Sequence, residues 1–402
     1  MWQSFSGELI SQIGLALALT LLLGIAGGKL FKKLGFPSIT GYLIVGIIFS
    51  PSLINIISPE INFSLTPVKN LGIGLIALII GGELRFSRLR RITKSVLAIT
   101  IFQMVFSFLF VFIGIKLLGF SLPIALLIGA LGTSTAVISI ASVIRELEAR
   151  GEFTYTLLAV VALSDAASIV VYNLISLIAK VDLLGKIKLS SLLFPLLELF
   201  GSVGFGVMLG FILVYILRFI PKRQEMIVLF LGFIFFSFEL ERWFHFSPIL
   251  IDLIVGMIVV NYGVDPEVFL VFEDLELPLY IVFFVFAGAS LNTAFLFKNW
   301  WLVLIFFGIR ALGKMSGSFC GAVIASAKKN VRFYSGFATL PMGGVSISLL
   351  LTLRDEFSSF PQLIELVTAV VLGGVIINEL IGPLGVKYAL IASRETGEDR
   401  NY

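Results

Sequence analysis

The chain has 402 residues, of which 58% are hydrophobic and only 13% are charged. Soluble domains carry about 25% charged residues, so the lipid bilayer must be the solvent for most of this sequence. The single cysteine excludes an internal disulfide, and the single histidine excludes a histidine-based metal cluster or catalytic triad. The net charge is +4, but the basic residues lie in short loops and form no nucleic-acid patch. We therefore expect a membrane protein that is not an enzyme, needs no cofactor and binds no nucleic acid.

Apolar segments recur along the chain, separated by short charged or Gly/Pro-containing stretches. Backbone groups in lipid must be satisfied within the segment, and runs of about 20 residues are too long for barrel strands, so the segments are predicted helices. We predict an all-α polytopic protein with thirteen transmembrane helices, at 9–30, 37–53, 67–84, 96–118, 122–144, 152–179, 189–217, 224–240, 246–261, 276–296, 299–326, 333–353 and 361–392.

The distribution of lysine and arginine predicts the orientation. If the N-terminus is outside, nineteen of the 29 basic residues fall in inner loops, eight fall in outer loops, and two lie inside a membrane segment. Cytoplasmic loops carry the excess of basic residues, so the N-terminus is predicted outside and the C-terminus in the cytoplasm.

The fifth segment contains the stretch "GALGTSTAVIS", in which Thr133 and Ser134 interrupt an apolar helix. Broken helices at mid-depth expose carbonyl groups and helix ends that can coordinate ions. Small residues that let helices pack closely are an equally good interpretation of these two positions alone.

The sixth segment contains Ser164 and Asp165 among small and apolar residues. Asp165 lies about thirteen residues into the segment, which at roughly 1.5 Å per residue places it near the bilayer midplane. An ionised carboxylate is costly there, so the residue is a candidate carrier of a cation or a proton. The alternative is a carboxyl group that is protonated in place or bonded to a neighbouring helix.

The eleventh segment contains Arg310 and Lys314, four residues apart on one helical face. Lys314 is deep in the segment and needs an anion or a path to water, which makes Asp165 its expected partner. The alternative is that the side chains extend to the interface, which suits Arg310 better than Lys314.

The twelfth segment contains Pro341, Gly343 and Gly344, which weaken a helix from within. Two interrupted segments seven apart indicate inverted repeats, with segments one to six and eight to thirteen as the halves and segment seven as connector. The two discontinuous helices are then expected to cross at the midplane.

Several stretches resemble the monovalent cation:proton antiporter-2 family, in that family's order. They read GFPSITGYLIVGIIFSPS, LGIGLIALIIGGELRFSRLRR, GTSTAVISIASVIRELEARGEFTYTLLAVVALSDAASIVVY, FSPILIDLIVGMIVVN, PLYIVFFVFAGASLN, GKMSGSFCGA and NELIGPLGVKYAL. The resemblance spans residues 10–390.

The resemblance implies a homodimer in the cell's inner membrane, in which a core domain moves against a dimerisation domain. By position, Asp165 matches the family's ion-site aspartate, and Thr133 and Ser134 match the polar break of the first crossed helix. Lys314 matches the basic residue that the family has on the opposing helix, and Arg310 is the other candidate for that position. A single membrane domain is expected over 1–392. Its core helices are expected at about 67–179 and 299–392, its scaffold helices at about 9–66 and 189–296, and a cytoplasmic tail at 393–402.

Two departures from the family pattern stand out. Some relatives have two acidic residues in a row at the ion site, and here Ser164 takes the first place, which favours exchange of one proton for one cation. The family often has an arginine and a glutamate around the second broken helix, and the local sequence PMGG, residues 341–344, lacks them.

The expected function is exchange of Na⁺ or K⁺ for protons by alternating access at Asp165, which serves pH homeostasis. Two other functions stay open: a cation-coupled carrier of organic anions that uses Arg310 and Lys314, and a potassium efflux channel-like protein. The residues do not distinguish Na⁺ from K⁺, because both bind the same oxygen ligands.

Overall fold

The computed structural model describes residues 2–34, 36, 38–84, 94–184, 189–220, 222–244, 246–262, 269 and 272–396. Within these residues the regular structure consists of helices, and no strand is present. The basic stretch at 85–93 and the end of the predicted tail at 397–402 lie outside the described residues. The helices are α1 (Trp2–Lys33), α2 (Ser38–Phe49), α3 (Pro59–Ser64), α4 (Thr66–Glu83), α5 (Lys94–Leu117), α6 (Leu122–Leu131), α7 (Val137–Glu146), α8 (Glu152–Leu184), α9 (Leu189–Leu217), α10 (Arg223–Phe244), α11 (Pro248–Tyr262), α12 (Glu273–Ala289), α13 (Thr293–Lys298), α14 (Trp300–Ile324), α15 (Lys329–Ala338), α16 (Gly344–Glu356) and α17 (Pro361–Ala392).

Most predicted segments correspond to one helix, but the fifth, tenth and twelfth each extend over two. The fifth becomes α6 and α7, the twelfth becomes α15 and α16, and the tenth extends from α12 into the short helix α13, while the short helix α3 is additional. In the described residues, α1, α5, α8, α9, α14 and α17 are long and apolar enough to cross a membrane, while α2, α4, α6, α11 and α12 are shorter apolar helices. The all-helical class is confirmed, and the count of thirteen crossings stays a prediction.

The helices divide into two groups by the contacts they make. Helices α1, α2, α4 and α9–α12 pack mainly on one another, and we name them the scaffold helices. Helices α5–α8 and α14–α17 form the second group, the core helices. The two groups meet at several places, among them the contacts of α4 with α8 and α16 and of α12 with α16, and this junction contains the candidate site.

Residues 67–84 are expected among the core helices, whereas α4 packs mainly on scaffold helices. Its most extensive contact is with α11, a scaffold helix. The cause is a pair of glycines: Gly81 lies directly against the backbone of Leu253, and Gly256 lies against the backbone of Leu78. Only glycine lets two helix backbones approach this closely, so α4 is fixed to the scaffold side of the junction.

The start of the predicted tail is bound to the helix that carries Asp165. The Glu395 carboxylate accepts hydrogen bonds of 2.8 Å from the backbone N–H groups of Phe153 and Thr154, in the first turn of α8. The Thr154 hydroxyl donates to it at the same distance. A carboxylate at a helix N-terminus satisfies free N–H groups and complements the helix dipole.

A surface ion pair lies beside this contact. Lys328 Nζ is 2.5 Å from Glu152 Oε2, and this hydrogen bond raises the pKa of Lys328. Both side chains are solvent-exposed, so the pair adds little to stability.

Candidate ion site

The two interrupted helices meet at their breaks. The first break, residues 132–136, separates α6 from α7, and the second, residues 339–343, separates α15 from α16. The Ala136 N–H donates to the Pro341 carbonyl at 3.0 Å, and the hydroxyls of Ser134 and Ser346 are hydrogen-bonded to each other. The predicted crossing of two discontinuous helices is therefore present, with Pro341 at the contact.

Asp165 on α8 faces the first break. Its Oδ1 accepts a hydrogen bond of 3.0 Å from the Thr135 N–H, just before the N-terminus of α7. The side chain is 3% exposed. The positive end of a helix stabilises a carboxylate, which explains how a charged form can exist at this depth.

Asp165 also lines a cavity of about 70 Å³ at the junction of scaffold and core helices. Its other walls are nearly all apolar, and they include Ile39 of α2, Ile80 of α4 and Phe284 of α12. A water needs roughly 10–15 Å³ of such space, so the cavity has room for a cation with a few waters. Asp165 is the one acidic residue among its described walls.

Thr133 and Ser134 are turned away from Asp165 in this conformation. The Thr133 hydroxyl donates to the Ala130 carbonyl at 2.7 Å, and the Ser134 hydroxyl pairs with Ser346. Their carbonyl oxygens accept from Lys314 and Arg310. Of the polar break, it is Thr135 that contacts the carboxylate of Asp165.

Lys314 is fully buried, and its ammonium group donates three hydrogen bonds. The acceptors are the Thr133 carbonyl at 2.6 Å, the Thr135 hydroxyl at 2.9 Å and the Gln103 side-chain oxygen at 3.0 Å. A lysine has three N–H donors, so neutral oxygens fill its hydrogen-bonding capacity.

Arg310 is also fully buried, so the alternative in which it or Lys314 extends to the interface does not fit this structure. Its guanidinium donates to the carbonyls of Gly132 (2.9 Å) and Ser134 (2.7 Å) at the first break. It also donates to the Leu340 carbonyl at the second break and to Asn378 Oδ1 on α17, both at 2.8 Å. Arg310 thus joins the two breaks, because its fixed fork of donors reaches both.

The second break has a carboxylate beside it, although its own sequence has none. Gly343 precedes the first residue of α16, Gly344, and the Oε1 atom of Glu379 lies 3.1 Å from the point where a Cβ atom on Gly343 would be. Glu379 is fully buried on α17, and its Oε2 accepts from the Ser139 hydroxyl at 2.6 Å. The carboxyl group that the PMGG sequence lacks is therefore present beside it, on another helix.

Sequence reasoning did not single out Gln103, Asn378 and Ser346, which complete the hydrogen bonds at the crossing. Gln103 carried a signal, because it is a lone amide in the apolar run "TIFQMVF". Asn378 directly precedes Glu379, and Ser346 alternates with apolar residues in α16. Only the three-dimensional arrangement shows which buried polar groups these side chains meet.

A second and larger cavity lies at the opposite end of α4. It measures about 580 Å³, and its polar walls include Lys69 of α4, Arg354 and Asp355 of α16, and Glu365 of α17. Between it and the Asp165 cavity lies a gap with no room for water, lined by Ile73 and Ile76 of α4, Ile169 of α8 and Leu349 of α16. We name these four residues the apolar seal.

The fold and the site together define a class of protein: a polytopic membrane carrier in which two broken helices cross beside a buried carboxylate. The sequence profile described as "Sodium/hydrogen exchanger, transmembrane" matches residues 17–390, and the chain belongs to this family. The resemblance found in the sequence is thereby confirmed at family level, and the narrower antiporter-2 group stays a prediction.

Solved structures show the same fold. The sodium proton antiporter MjNhaP1 from Methanocaldococcus jannaschii at pH 8 matches with a TM-score of 0.78 and 20% identity, over 96% of this chain and 99% of that one. A structure of the same antiporter from an electron-microscopy map matches with a TM-score of 0.64 and 22% identity, over 94% of each chain. No curated protein sequence matches the chain significantly.

Proposed function

We propose that the protein exchanges a monovalent cation, Na⁺ or K⁺, for protons at Asp165 by alternating access. The observation that carries the proposal is a single buried carboxylate that lines a small cavity between scaffold and core helices and faces the positive end of α7. Membership of the sodium/hydrogen exchanger family supports the same reaction.

Coupling follows from the cost of an unpaired charge in lipid. The deprotonated Asp165 binds a cation together with waters in the cavity, and protonation of the carboxylate releases that cation. The core helices move past the scaffold helices only when Asp165 holds a cation or a proton, because a bare carboxylate is too costly to move through an apolar layer. The apolar seal closes the other side in this conformation.

A stoichiometry of one proton for one cation fits the neighbouring side chains. Ser164 carries no charge, and its hydroxyl donates to the Val160 carbonyl at 2.6 Å. The ammonium of Lys314 donates to three neutral oxygens, and in this proposal it keeps its proton during the cycle. Asp165 is then the one group at the site that gains and loses a proton.

The organic-anion alternative loses its main support. It requires Arg310 and Lys314 to face a substrate cavity. Both side chains are instead fully buried and donate their hydrogen bonds to oxygen atoms of the protein. The Asp165 cavity of about 70 Å³ is also far smaller than the roughly 300 Å³ at which pockets for organic ligands begin.

The proposed setting is a homodimer in the cell's inner membrane with the C-terminus in the cytoplasm. In that orientation the Asp165 cavity, near the end of α4 and the start of α2, faces the cytoplasm, and the larger cavity faces outward. The structure is then an inward-facing state.

The test is pH-gradient dissipation in proteoliposomes that receive pulses of Li⁺, Na⁺ or K⁺. Wild-type protein is expected to dissipate the gradient after Na⁺ or K⁺, and Asp165→Asn is expected to show no cation-dependent proton movement. The matched control is Asp252→Asn, the same change at a fully buried aspartate on α11. Full exchange by a folded Asp165→Asn protein contradicts the proposal, and electrical currents far above carrier rates would indicate a channel.

A further inference from the structure

Gln103 on α5 connects two residues of the site, Lys314 and Ser164. Its side-chain oxygen accepts from Lys314 Nζ at 3.0 Å, and its amide nitrogen donates to the Ser164 hydroxyl. Gln103 is fully buried. Its amide therefore spans the space between the ammonium of Lys314 and the residue that directly precedes Asp165.

The packing of α5 on α14 fixes this position. Gly317 of α14 lies one turn beyond Lys314, and a Cβ atom there would be 2.7 Å from the Cα atom of Gln103. A Cβ atom on Gly313 would likewise be 2.8 Å from the Cα atom of Ser107, and one on Gly321 would be 2.8 Å from that of Ile99. Glycines four residues apart on α14 hold the two helices at backbone contact, which leaves the Gln103 amide little freedom.

We propose that Gln103 is a positioning residue of the ion site: it holds the Lys314 ammonium on the first break and prevents it from pairing with Asp165. An ammonium that lacks one of its three acceptors at this depth is expected to turn toward the nearest anion. That anion is Asp165, and an ammonium bound to it competes directly with Na⁺. This inference rests on the proposed role of Asp165 as the cation site.

The proposal predicts different effects on Na⁺ affinity for two substitutions of similar size. Gln103→Leu removes the acceptor for Lys314, so the Na⁺ concentration for half-maximal effect is expected to rise by roughly tenfold or more, the equivalent of one hydrogen bond to a charged group. Gln103→Glu keeps an oxygen beside Lys314 and is expected to leave that concentration unchanged or lower. If these substitutions acted only by disturbing the packing of α5, the Na⁺ affinity of both variants would fall by a similar factor.

Na⁺ binding is measured in two ways, so that a variant with slow transport still gives a result. The first readout is pH-gradient dissipation at graded Na⁺ concentrations. The second is the stabilisation of purified protein against thermal unfolding by Na⁺, which reports binding without turnover. The matched control is Thr100→Val, an isosteric change at a buried hydroxyl of α5 that has no hydrogen-bond partner among the described residues. Its Na⁺ affinity is expected to be unchanged.

A double-mutant cycle decides whether Gln103 acts through Lys314. In a Lys314→Met background, Gln103→Leu is expected to change the half-maximal Na⁺ concentration by less than about twofold, because the competing ammonium is gone. An equal change in both backgrounds, or weaker Na⁺ binding in Gln103→Glu, overturns the proposal. The variant Asp165→Asn tests the proposed function independently of the role of Gln103. If Asp165→Asn still exchanges Na⁺ for protons, the assignment of Asp165 as the cation site is wrong.

Discussion

Replacement of Arg310 by methionine is expected to destabilise the protein far more than it changes Na⁺ affinity. The side chain donates hydrogen bonds to Gly132, Ser134, Leu340 and Asn378. The Gly132 carbonyl also accepts from the Ser107 hydroxyl, so Arg310→Met leaves three buried acceptors without this donor: those of Ser134, Leu340 and Asn378. Hydrogen bonds between helices in bilayers average about 0.6 kcal/mol, whereas a buried acceptor without a donor costs about 1–3 kcal/mol. At about 0.6 to 3 kcal/mol for each of the three acceptors, the predicted loss in the free energy of unfolding is between about 2 and 9 kcal/mol.

The assay is unfolding of the purified protein in micelles by graded amounts of a denaturing detergent, with Na⁺ stabilisation measured in parallel. Arg310→Lys keeps the charge but has three donors on a differently shaped head group, so its stability is expected between wild type and Arg310→Met. Lys314→Met on the same helix is the matched comparison, because the hydrogen bonds of Lys314 within the described part of the chain go to the first break and Gln103 and do not reach the second break. Stability of Arg310→Met within about 0.5 kcal/mol of wild type, a change typical of neutral substitutions, refutes the role assigned to Arg310.

Three further outcomes follow from the contacts described. Glu395→Ala is expected to cost about 1–2 kcal/mol of unfolding free energy, because it removes the carboxylate bound at the start of α8, and Glu395→Gln is expected to cost less in the same detergent titration. Ile169→Ser in the apolar seal is expected to admit water and cause proton leak without Na⁺, and a leak no larger than wild type contradicts the assignment of the seal. If protons and Na⁺ compete for Asp165, the Na⁺ concentration for half-maximal exchange is expected to rise about tenfold for each pH unit of acidification in the acidic range. A half-maximal Na⁺ concentration that does not change with pH excludes a shared site.

The broad plan of the fold could be predicted because the bilayer imposes a strict rule on sequence. Apolar segments must be helices in lipid, so their limits can be read directly, and the interruptions at 132–136 and 339–343 coincide with Gly, Pro and hydroxyl residues. The position of α4 could not be predicted in this way. It depends on contacts of Gly81 and Gly256 with the backbone of the opposite helix, and glycine in a membrane segment is compatible with many partners.

The candidate site could be predicted in its residues but not in their pairings. Asp165, Arg310 and Lys314 stand out because charge is rare and costly inside a membrane. The sequence favours a pair between Lys314 and Asp165, since a buried cation is expected to need an anion. The structure shows that an oxygen-rich break can satisfy an ammonium with carbonyl, hydroxyl and amide groups, which sequence spacing cannot reveal.

The four charged groups at the crossing are sorted by the direction of the half-helices. The two cations, Arg310 and Lys314, bind carbonyl groups just beyond the C-terminal ends of α6 and α15. The two carboxylates, Asp165 and Glu379, lie at the N-terminal ends of α7 and α16. Each charge thus meets the helix end of opposite sign, which allows four ionisable groups to remain in an apolar environment. Of these four groups, Asp165 is the one that lines the cavity between scaffold and core helices, so the electrostatic balance of the crossing depends on what occupies that one position.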